Sequence, residues 1–292
     1  MSVWKHITEQ ISHATGSRFS PSSPSGIGGG DINRAYRLTD GRQSYFVKLN
    51  DSSLQFMFEA EAAGLQELAQ SRTIRVPEPI CFGSVENNSF LVLEYIEMVS
   101  RGDLEQAGRQ LAMMHQTVND SFGWSRDNTI GSTHQRNTPS SDWIEFWRQH
   151  RLGYQLKLAS ELGHNGRLQE QGERVLQLLP QLIDHNPRPS LLHGDLWGGN
   201  IAFDSEQRPV IFDPAVYFGD READLAMTEL FGGFGSRFYA AYNEVWPLDA
   251  GYAQRRELYN LYHILNHLNL FGAGYANQAQ AMIERLLARF KG

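Results

Sequence analysis

In the stretch LLHGDLWGGNIAFDSEQRPVIFDP, Leu191 to Pro214, the polar residues Asp195, Asn200 and Asp213 stand in a run dominated by apolar residues and glycine. Two short β-like runs at 200–203 and 209–212, joined by the turn DSEQR, separate the last two. Asp and Asn are ordinary turn residues, so each alone says little. Together they supply a proton acceptor, a side-chain amide oxygen and a second carboxylate. Phosphoryl transfer needs such groups to orient an attacking hydroxyl and to hold Mg²⁺, which prefers hard oxygen ligands. The order reads as a catalytic loop followed by a metal-binding loop: Asp195 the base, Asn200 and Asp213 the metal ligands, His193 a brace for the loop.

Chemistry of this kind also needs cations and backbone N–H groups for the phosphates, and the first hundred residues offer them. Residues 3–15 read as a short helix, and SRFSPSSPSGIGGGD as a loop rich in proline, serine and glycine. The runs INRAYRLTD and QSYFVKLN flank Asp40-Gly41-Arg42, a hairpin signal because Asp-Gly accepts positive φ. The spacing of Leu54, Met57, Phe58, Leu65 and Leu68 predicts an amphipathic helix over 53–71, capped by Ser52 or Ser53. VPEPICFGSV and SFLVLEYIEM read as two further strands meeting at Asn87-Asn88.

From 103 onward the pattern is helical, at 103–118, 142–162, 166–184, 221–231, 236–246 and 252–289, and strands are expected only within 200–212. The expected fold class is α+β. A small N-terminal lobe, residues 1–96, has an antiparallel sheet and one helix and binds nucleotide. A larger, mostly helical lobe, 97–292, carries catalysis and substrate binding.

Lys48, on the strand after the glycine loop, is the candidate for the α and β phosphates of ATP. Glu61 is its preferred ion-pair partner over Glu59, which lies on another helix face. GIGGGD fits neither G-x4-G-K-[ST] nor G-x-G-x-x-G, and alone would be a flexible turn. Ahead of the Lys48 strand it reads as a phosphate-covering loop, with Gly28, Gly29 and Gly30 permitting close backbone approach. Glu94, Tyr95 and Ile96 form the expected adenine hinge. Asp220, Glu222 and Asp224 cluster at a helix start, where carboxylates meet free N–H groups, and Asp220 and Asp224 are assigned mainly to structure. His115, His263 and His267 read as packing or surface residues.

Composition narrows the classes. A chain of 292 residues with 41% hydrophobic content can bury a sizeable core. A formal net charge of -7, with basic residues scattered, argues against a nucleic-acid partner. The first residues lack the apolar core of a signal peptide and no run of 18 apolar residues occurs, so a cytoplasmic protein without membrane contact, monomeric, is expected. The single cysteine, Cys81, reads as a small buried hydrophobe.

HGDLWGGN and FDPAVYFGDREADLAM resemble the fructosamine kinase (ketosamine 3-kinase) family, a branch of the aminoglycoside phosphotransferase-like kinases with a protein-kinase-like fold. GGGDIN, FVKLN, MFEAEAAGLQEL, VPEP, FLVLEYIEM, DNTIGSTHQRNTPSSDWIEFWRQHRLGYQLKLA and LYHILNHLNLFG carry the resemblance over nearly the whole chain. HGD-x4-N alone marks only the superfamily. The tryptophan after HGDL, Asp-Pro-Ala in place of Asp-Phe-Gly, and the long 127–159 segment select the branch. The resemblance implies ATP-dependent phosphorylation of the sugar 3-hydroxyl of ketoamines, free or on glycated proteins, giving an unstable 3-phosphate whose loss reverses glycation. It implies ATP and Mg²⁺ as cofactors, Asp195 as proton acceptor, Asn200 and Asp213 as Mg²⁺ ligands and Trp197 beside the sugar. Some relatives have a cysteine after the glycine triplet, where this chain has Asp31. A thiol switch is therefore not expected, and Asp31 is assigned toward the substrate amine. Another small-molecule kinase of the aminoglycoside or choline type would share every catalytic residue. A non-catalytic pseudokinase would usually lack one of Lys48, Asp195, Asn200 and Asp213, and all four are present.

Overall fold

The computed structural model describes residues 2–28 and 32–290. Two compact units emerge: residues 1–103 with 201–214, and residues 104–200 with 215–292. The reading from sequence divides the chain after residue 96 and keeps 201–214 with the helical part.

The first unit is built on a five-stranded antiparallel sheet in the order β1-β2-β3-β5-β4, formed by β1 (Ser25–Ile27), β2 (Arg34–Thr39), β3 (Ser44–Asp51), β4 (Pro79–Val85) and β5 (Asn88–Glu94). Side chains alternate across a strand with a period of two. Tyr45, Val47 and Leu49 of β3 therefore share one face, where they join Phe90, Val92 and Leu38 in a core closed by Ile7 and Ile11 of helix α1 (Val3–Thr15). Lys48 necessarily turns to the other face, the one that helix α2 (Gln55–Gln70) covers through Met57, Phe58, Leu65 and Leu68. A one-residue slip of β3 would exchange these faces.

Three local details differ from expectation. The segment around residues 20–30 contains β1, a three-residue strand too short to show alternation. Asp51, not Ser52 or Ser53, makes the capping contact, its carboxylate accepting from the Ser53 N–H at 2.9 Å before a 3₁₀ turn, Ser52–Leu54, leads into α2. Cys81 is partly buried against the sheet core, and burial pushes its thiol up to about 12.

The hairpin Ile201–Phe203/Pro209–Ile211 completes this unit. Phe203 and Val99 exchange backbone hydrogen bonds, and the Ile211 N–H donates to the Arg75 carbonyl at 3.0 Å. Its turn is held by Asp204, whose carboxylate accepts from the Glu206 and Arg208 N–H groups and from the Arg75 and Arg208 side chains. Burial opposes that charge, but these donors outweigh it and bring Asp204 down to about 2.

The second unit is mostly helical. Helix Tyr252–Phe271 is its axis, burying Leu258, Tyr259, Leu261, Tyr262, Ile264, Leu265 and Leu268 among the helices at 153–161, 221–230 and 276–288. The expectation that strands occur only within 200–212 is overturned: Asn128–Ile130 pairs with Thr133–Gln135, and Ser190–Leu192 with Tyr217–Gly219. Strands of three residues are too short to establish an alternation, and Ser190–Leu192 and Tyr217–Gly219 are buried throughout. The long helix expected over 142–162 contains a π-helical turn, Arg148–Leu152.

Candidate active site

In the first unit Lys48 is 5% exposed, and its Nζ lies 2.6 Å from Glu61 Oε1 and 2.5 Å from Asp213 Oδ1. Burial alone would lower the lysine pKa; the two carboxylates outweigh it and the pKa is raised. Burial raises Glu61, against the opposing pull of Lys48. Glu59 is engaged elsewhere, accepting from the Gln55 amide at 2.8 Å. Asp213 sits in the left-handed region at φ 57, a conformation that costs a non-glycine residue about 1–2 kcal/mol and concentrates at functional sites. The strain aims a half-exposed carboxylate at the lysine while leaving it accessible.

The expected hinge residues close the same sheet. The Glu94 N–H donates to the Glu78 carbonyl at 2.8 Å, and the Glu94 carboxylate pairs with Arg75 at 2.6 Å. Tyr95 lies under the Arg37 guanidinium, 4.3 Å from the ring centre, and Ile96 is buried. Gly28 directly follows β1, and a Cβ there would meet only open space. Gly29, Gly30 and Asp31 lie outside the described residues.

In the second unit the chain leaves the strand Ser190–Leu192 into His193, Gly194 and Asp195. Gly194 has φ 84, and a Cβ on it would stand 2.1 Å from the Ala215 carbonyl oxygen, so no other residue fits. The buried Asp224 carboxylate accepts from the His193 N–H at 2.7 Å and the Gly194 N–H at 2.8 Å. His115 Nε2 lies 3.1 Å from the same carboxylate, so this nitrogen carries the proton and Nδ1 accepts from the Tyr242 hydroxyl at 2.8 Å. Burial works to raise Asp224, but His115, His193 and the loop N–H outweigh it and its pKa is lowered. A chain Tyr242–His115–Asp224 thus fixes the backbone immediately before Asp195.

His193 Nδ1 accepts from the Asp195 N–H at 3.3 Å, the bracing contact read from sequence. The Asn200 amide N–H donates to the Asp195 carbonyl at 2.8 Å and reaches its carboxylate at 3.4 Å. With its nitrogen so used, Asn200 has its amide oxygen to offer, and in the first unit Asp213 has a half-exposed carboxylate; each by itself is the kind of hard oxygen donor that Mg²⁺ prefers. Trp197 is 39% exposed, and a Cβ on Gly199 would come within 2.3 Å of its ring, so the glycine lets the indole lie over the loop.

Two arrangements were not read from sequence. Asp224, assigned to structure, and His115, assigned to packing or surface, form the brace just described, and nothing in their spacing, 109 residues apart, announces the pairing. Inside the 127–159 segment, Gln135 donates to Asn128 and to the Ala215 carbonyl, Asn128 donates to the Val216 carbonyl, and the fully buried Arg151 holds Asn137 at 2.7 Å. This amide network clamps the chain just after Asp213-Pro214. Among the described residues one further cluster has metal-ligand geometry, His185, Asp220 and Glu222. Arg255 holds Glu222 through two hydrogen bonds and Tyr259 donates to Asp220, which makes the cluster an internal ion network.

An antiparallel sheet bearing a Lys–Glu–Asp trio, followed by a helical unit with the Asp195/Asn200 loop, defines a protein-kinase-like fold. A choline kinase structure from Streptococcus pneumoniae shares it, with TM-score 0.67 and 17% identity over 99% of this chain and 100% of the other. The family profile described as fructosamine kinase matches residues 3–289, and the chain belongs to that family. A Synechocystis protein named probable ketoamine kinase is 49% identical over 288 residues, 97% of each chain. The chloroplastic protein-ribulosamine 3-kinase of Arabidopsis thaliana is 47% identical over 270 residues, covering 91% of this chain and 82% of that one. A crystal structure from Haemophilus somnus assigned to the fructosamine-3-kinases has TM-score 0.90 and 31% identity over 97% of both chains. Among the described residues no helix is long and apolar enough to cross a membrane.

Proposed function

We propose that the protein is an ATP-dependent ketoamine 3-kinase, transferring the γ-phosphoryl group to the sugar 3-hydroxyl of a ribulosyl- or fructosyl-amine. The observation that carries this is Asp195, held on a loop whose backbone Asp224 clamps and whose next polar residue, Asn200, is hydrogen-bonded to it, in a chain matched to the family over 3–289. Asp195 orients the 3-hydroxyl and takes its proton as the hydroxyl oxygen bonds to phosphorus and the bond from phosphorus to the ADP oxygen breaks. Lys48, set by Glu61, faces the α and β phosphates, with the glycine loop Gly28–Gly30 covering them and Glu94, Tyr95 and Ile96 receiving adenine. Asn200 and Asp213 would hold Mg²⁺, which would supply positive charge to offset that of the phosphates. Trp197 offers a flat apolar face to the sugar, and Asp31 is assigned to the substrate amine. The phosphorylated ketoamine is unstable and falls apart, so the net effect is deglycation.

The test is ATP consumption with a panel of ribulosyl-, erythrulosyl- and fructosyl-lysine beside aminoglycosides and choline. Turnover confined to the ketoamines is expected. Turnover of only an aminoglycoside or choline would move the chain to another kinase specificity, and ATP turnover with none of them would remove the substrate assignment.

A further inference from the structure

In the second unit one buried amide stands between the catalytic loop and the 127–159 segment. Gln135, 1% exposed, donates through Nε2 to the Ala215 carbonyl at 3.1 Å and to Asn128 Oδ1 at 2.8 Å, and its Oε1 accepts from the Tyr262 hydroxyl at 2.6 Å. Burial pushes the Tyr262 phenol up to about 12, so at neutral pH it keeps its proton and donates. That fixes which end of the Gln135 amide is the oxygen, and so turns Nε2 toward Ala215. Ala215 in turn meets the catalytic loop: its N–H donates to the His193 carbonyl at 2.8 Å, and its carbonyl oxygen lies against Gly194, the residue before Asp195.

Behind Gln135 stands a cation with no counter-charge. Arg151 is fully buried, yet its donors go to the Arg136 and His150 carbonyls and to Asn137 Oδ1, at 2.7, 3.0 and 2.7 Å, and to no carboxylate. Its guanidinium lies on the Tyr217 ring, 4.0 Å from the centre. Asn137 passes the contact on, its amide N–H reaching Asn128 Oδ1 at 2.9 Å, the same oxygen that Gln135 uses. A buried charge without an opposite charge costs stability that an apolar side chain would not, so core packing alone does not account for Arg151. Regular helix geometry does not account for it either. Arg151 sits in the π-helical turn, where the Gly153 N–H reaches back five residues to the Arg148 carbonyl, a local widening that is frequent at functional sites.

We propose that Gln135 is a positioning residue for phosphoryl transfer, held by Tyr262 and Arg151, and that through Ala215 it aligns Asp195 for a sugar hydroxyl in preference to water. The inference rests on the reading above, in which Asp195 takes the acceptor's proton. A hydroxyl fixed on a bound sugar meets the base in one geometry only, and a displacement on the order of 1 Å costs about a hundredfold in such an alignment. Water is small and unattached, and finds a displaced base as easily as a placed one. When it does, the water oxygen bonds to the γ phosphorus as the bond to the ADP oxygen breaks, its proton goes to Asp195 and then to solvent, and inorganic phosphate leaves beside ADP. A loosened Gln135 therefore uncouples ATP consumption from transfer instead of slowing both alike.

The experiment measures, on the full chain with Mg-ATP and ribulosyl-lysine, the ADP formed per acceptor used, counting phosphorylated ketoamine and freed amine together. Both products come from the same folded molecules, so the ratio does not change with the fraction of enzyme that is folded. Tyr262→Phe removes only the hydroxyl that orients Gln135 and should raise the ADP formed without transfer about three- to tenfold, the worth of one hydrogen bond, with KM for ATP unchanged. Arg151→Lys keeps the charge but not the planar fork and should uncouple at least as much. Tyr259→Phe, which takes a buried hydroxyl from the same helix together with its hydrogen bond to Asp220, should lower Tm and leave the ratio as in wild type. A wild-type ratio in Tyr262→Phe or in Arg151→Lys, or uncoupling as large in Tyr259→Phe, would overturn the inference. If wild type phosphorylates an aminoglycoside or choline and not the ketoamine, the ketoamine reading fails, and the same ratio on that acceptor decides the inference. Phosphorylation of none of them overturns both.

Discussion

Asp224→Asn tests the brace beneath the catalytic loop with almost no change in volume. The native carboxylate accepts from two backbone N–H groups, at 2.7 and 2.8 Å, and from His115 at 3.1 Å. An asparagine offers one oxygen, so one of those donors must face an NH₂ group. The loss is one charge-assisted hydrogen bond, about 1.5–3 kcal/mol, plus about 1–3 kcal/mol for a buried N–H left without a partner. A total of about 2.5–6 kcal/mol corresponds to a fall in Tm of about 4–10 °C for a chain of this size. Because the orphaned donor lies in the two residues before Asp195, kcat should fall by at least about tenfold. The rise in Tm produced by Mg-ATP, which reports nucleotide affinity and not chemistry, should persist at temperatures below the melt. Thermal melts with and without Mg-ATP, beside steady-state turnover of a ribulosyl amine, read both. A variant that melts within 2 °C of wild type and keeps full kcat would mean that Asp224 does not hold the loop.

Lys48→Met should abolish most activity, and because it leaves Glu61 and Asp213 without their shared cation it should also lower Tm by several degrees; full activity would release Lys48 from the nucleotide. The raised Lys48 pKa means that its ion pairs stabilise the fold fully below about pH 10 and are lost as pH rises beyond the native value, so alkaline melts should drop more steeply in wild type than in the variant. For Asp204 the sign is opposite: its native pKa is depressed to about 2, so its contribution is present above about pH 4 and fades as pH falls toward 2. The Tm gap between wild type and Asp204→Asn should therefore shrink across that window, and a constant gap would contradict the hairpin latch. Trp197→Ala should raise KM for the ketoamine far more than KM for ATP, and the reverse order would place the indole against the nucleotide.

The elements that were readable in the sequence are those with a period and a cap. The helices at 3–15, 221–231 and 236–246 and the hairpin around Asp40-Gly41 need only local spacing and one turn residue, and they form within a residue or two of expectation. The Lys48–Glu61 contact forms as expected, but the preference for Glu61 over Glu59 rests on the family resemblance as well as on the helix face. What could not be read depends on partners far apart in sequence. The strands at 128–135 exist because Gln135 and Asn128 meet carbonyls at 215 and 216, and the loop before Asp195 is held by side chains from 115, 224 and 242. No local pattern encodes a contact made only once the chain has folded. The Asp195, Asn200 and Asp213 roles came from residue type and order, and their placement adds geometry to roles that kinetics must assign.

The central claim is that Asp195 accepts the proton of a ketoamine hydroxyl. It is tested most directly by incubating wild type and Asp195→Asn with ATP, Mg²⁺ and ribulosyl-lysine and following the phosphorylated sugar by ³¹P NMR and the freed lysine by mass spectrometry. Wild type should give an ATP-dependent 3-phosphate followed by free lysine. The variant should still gain melting temperature from Mg-ATP while its turnover falls by about 10²- to 10⁴-fold. Undiminished phosphorylation by Asp195→Asn, or phosphate appearing on a hydroxyl other than the third, would contradict the account.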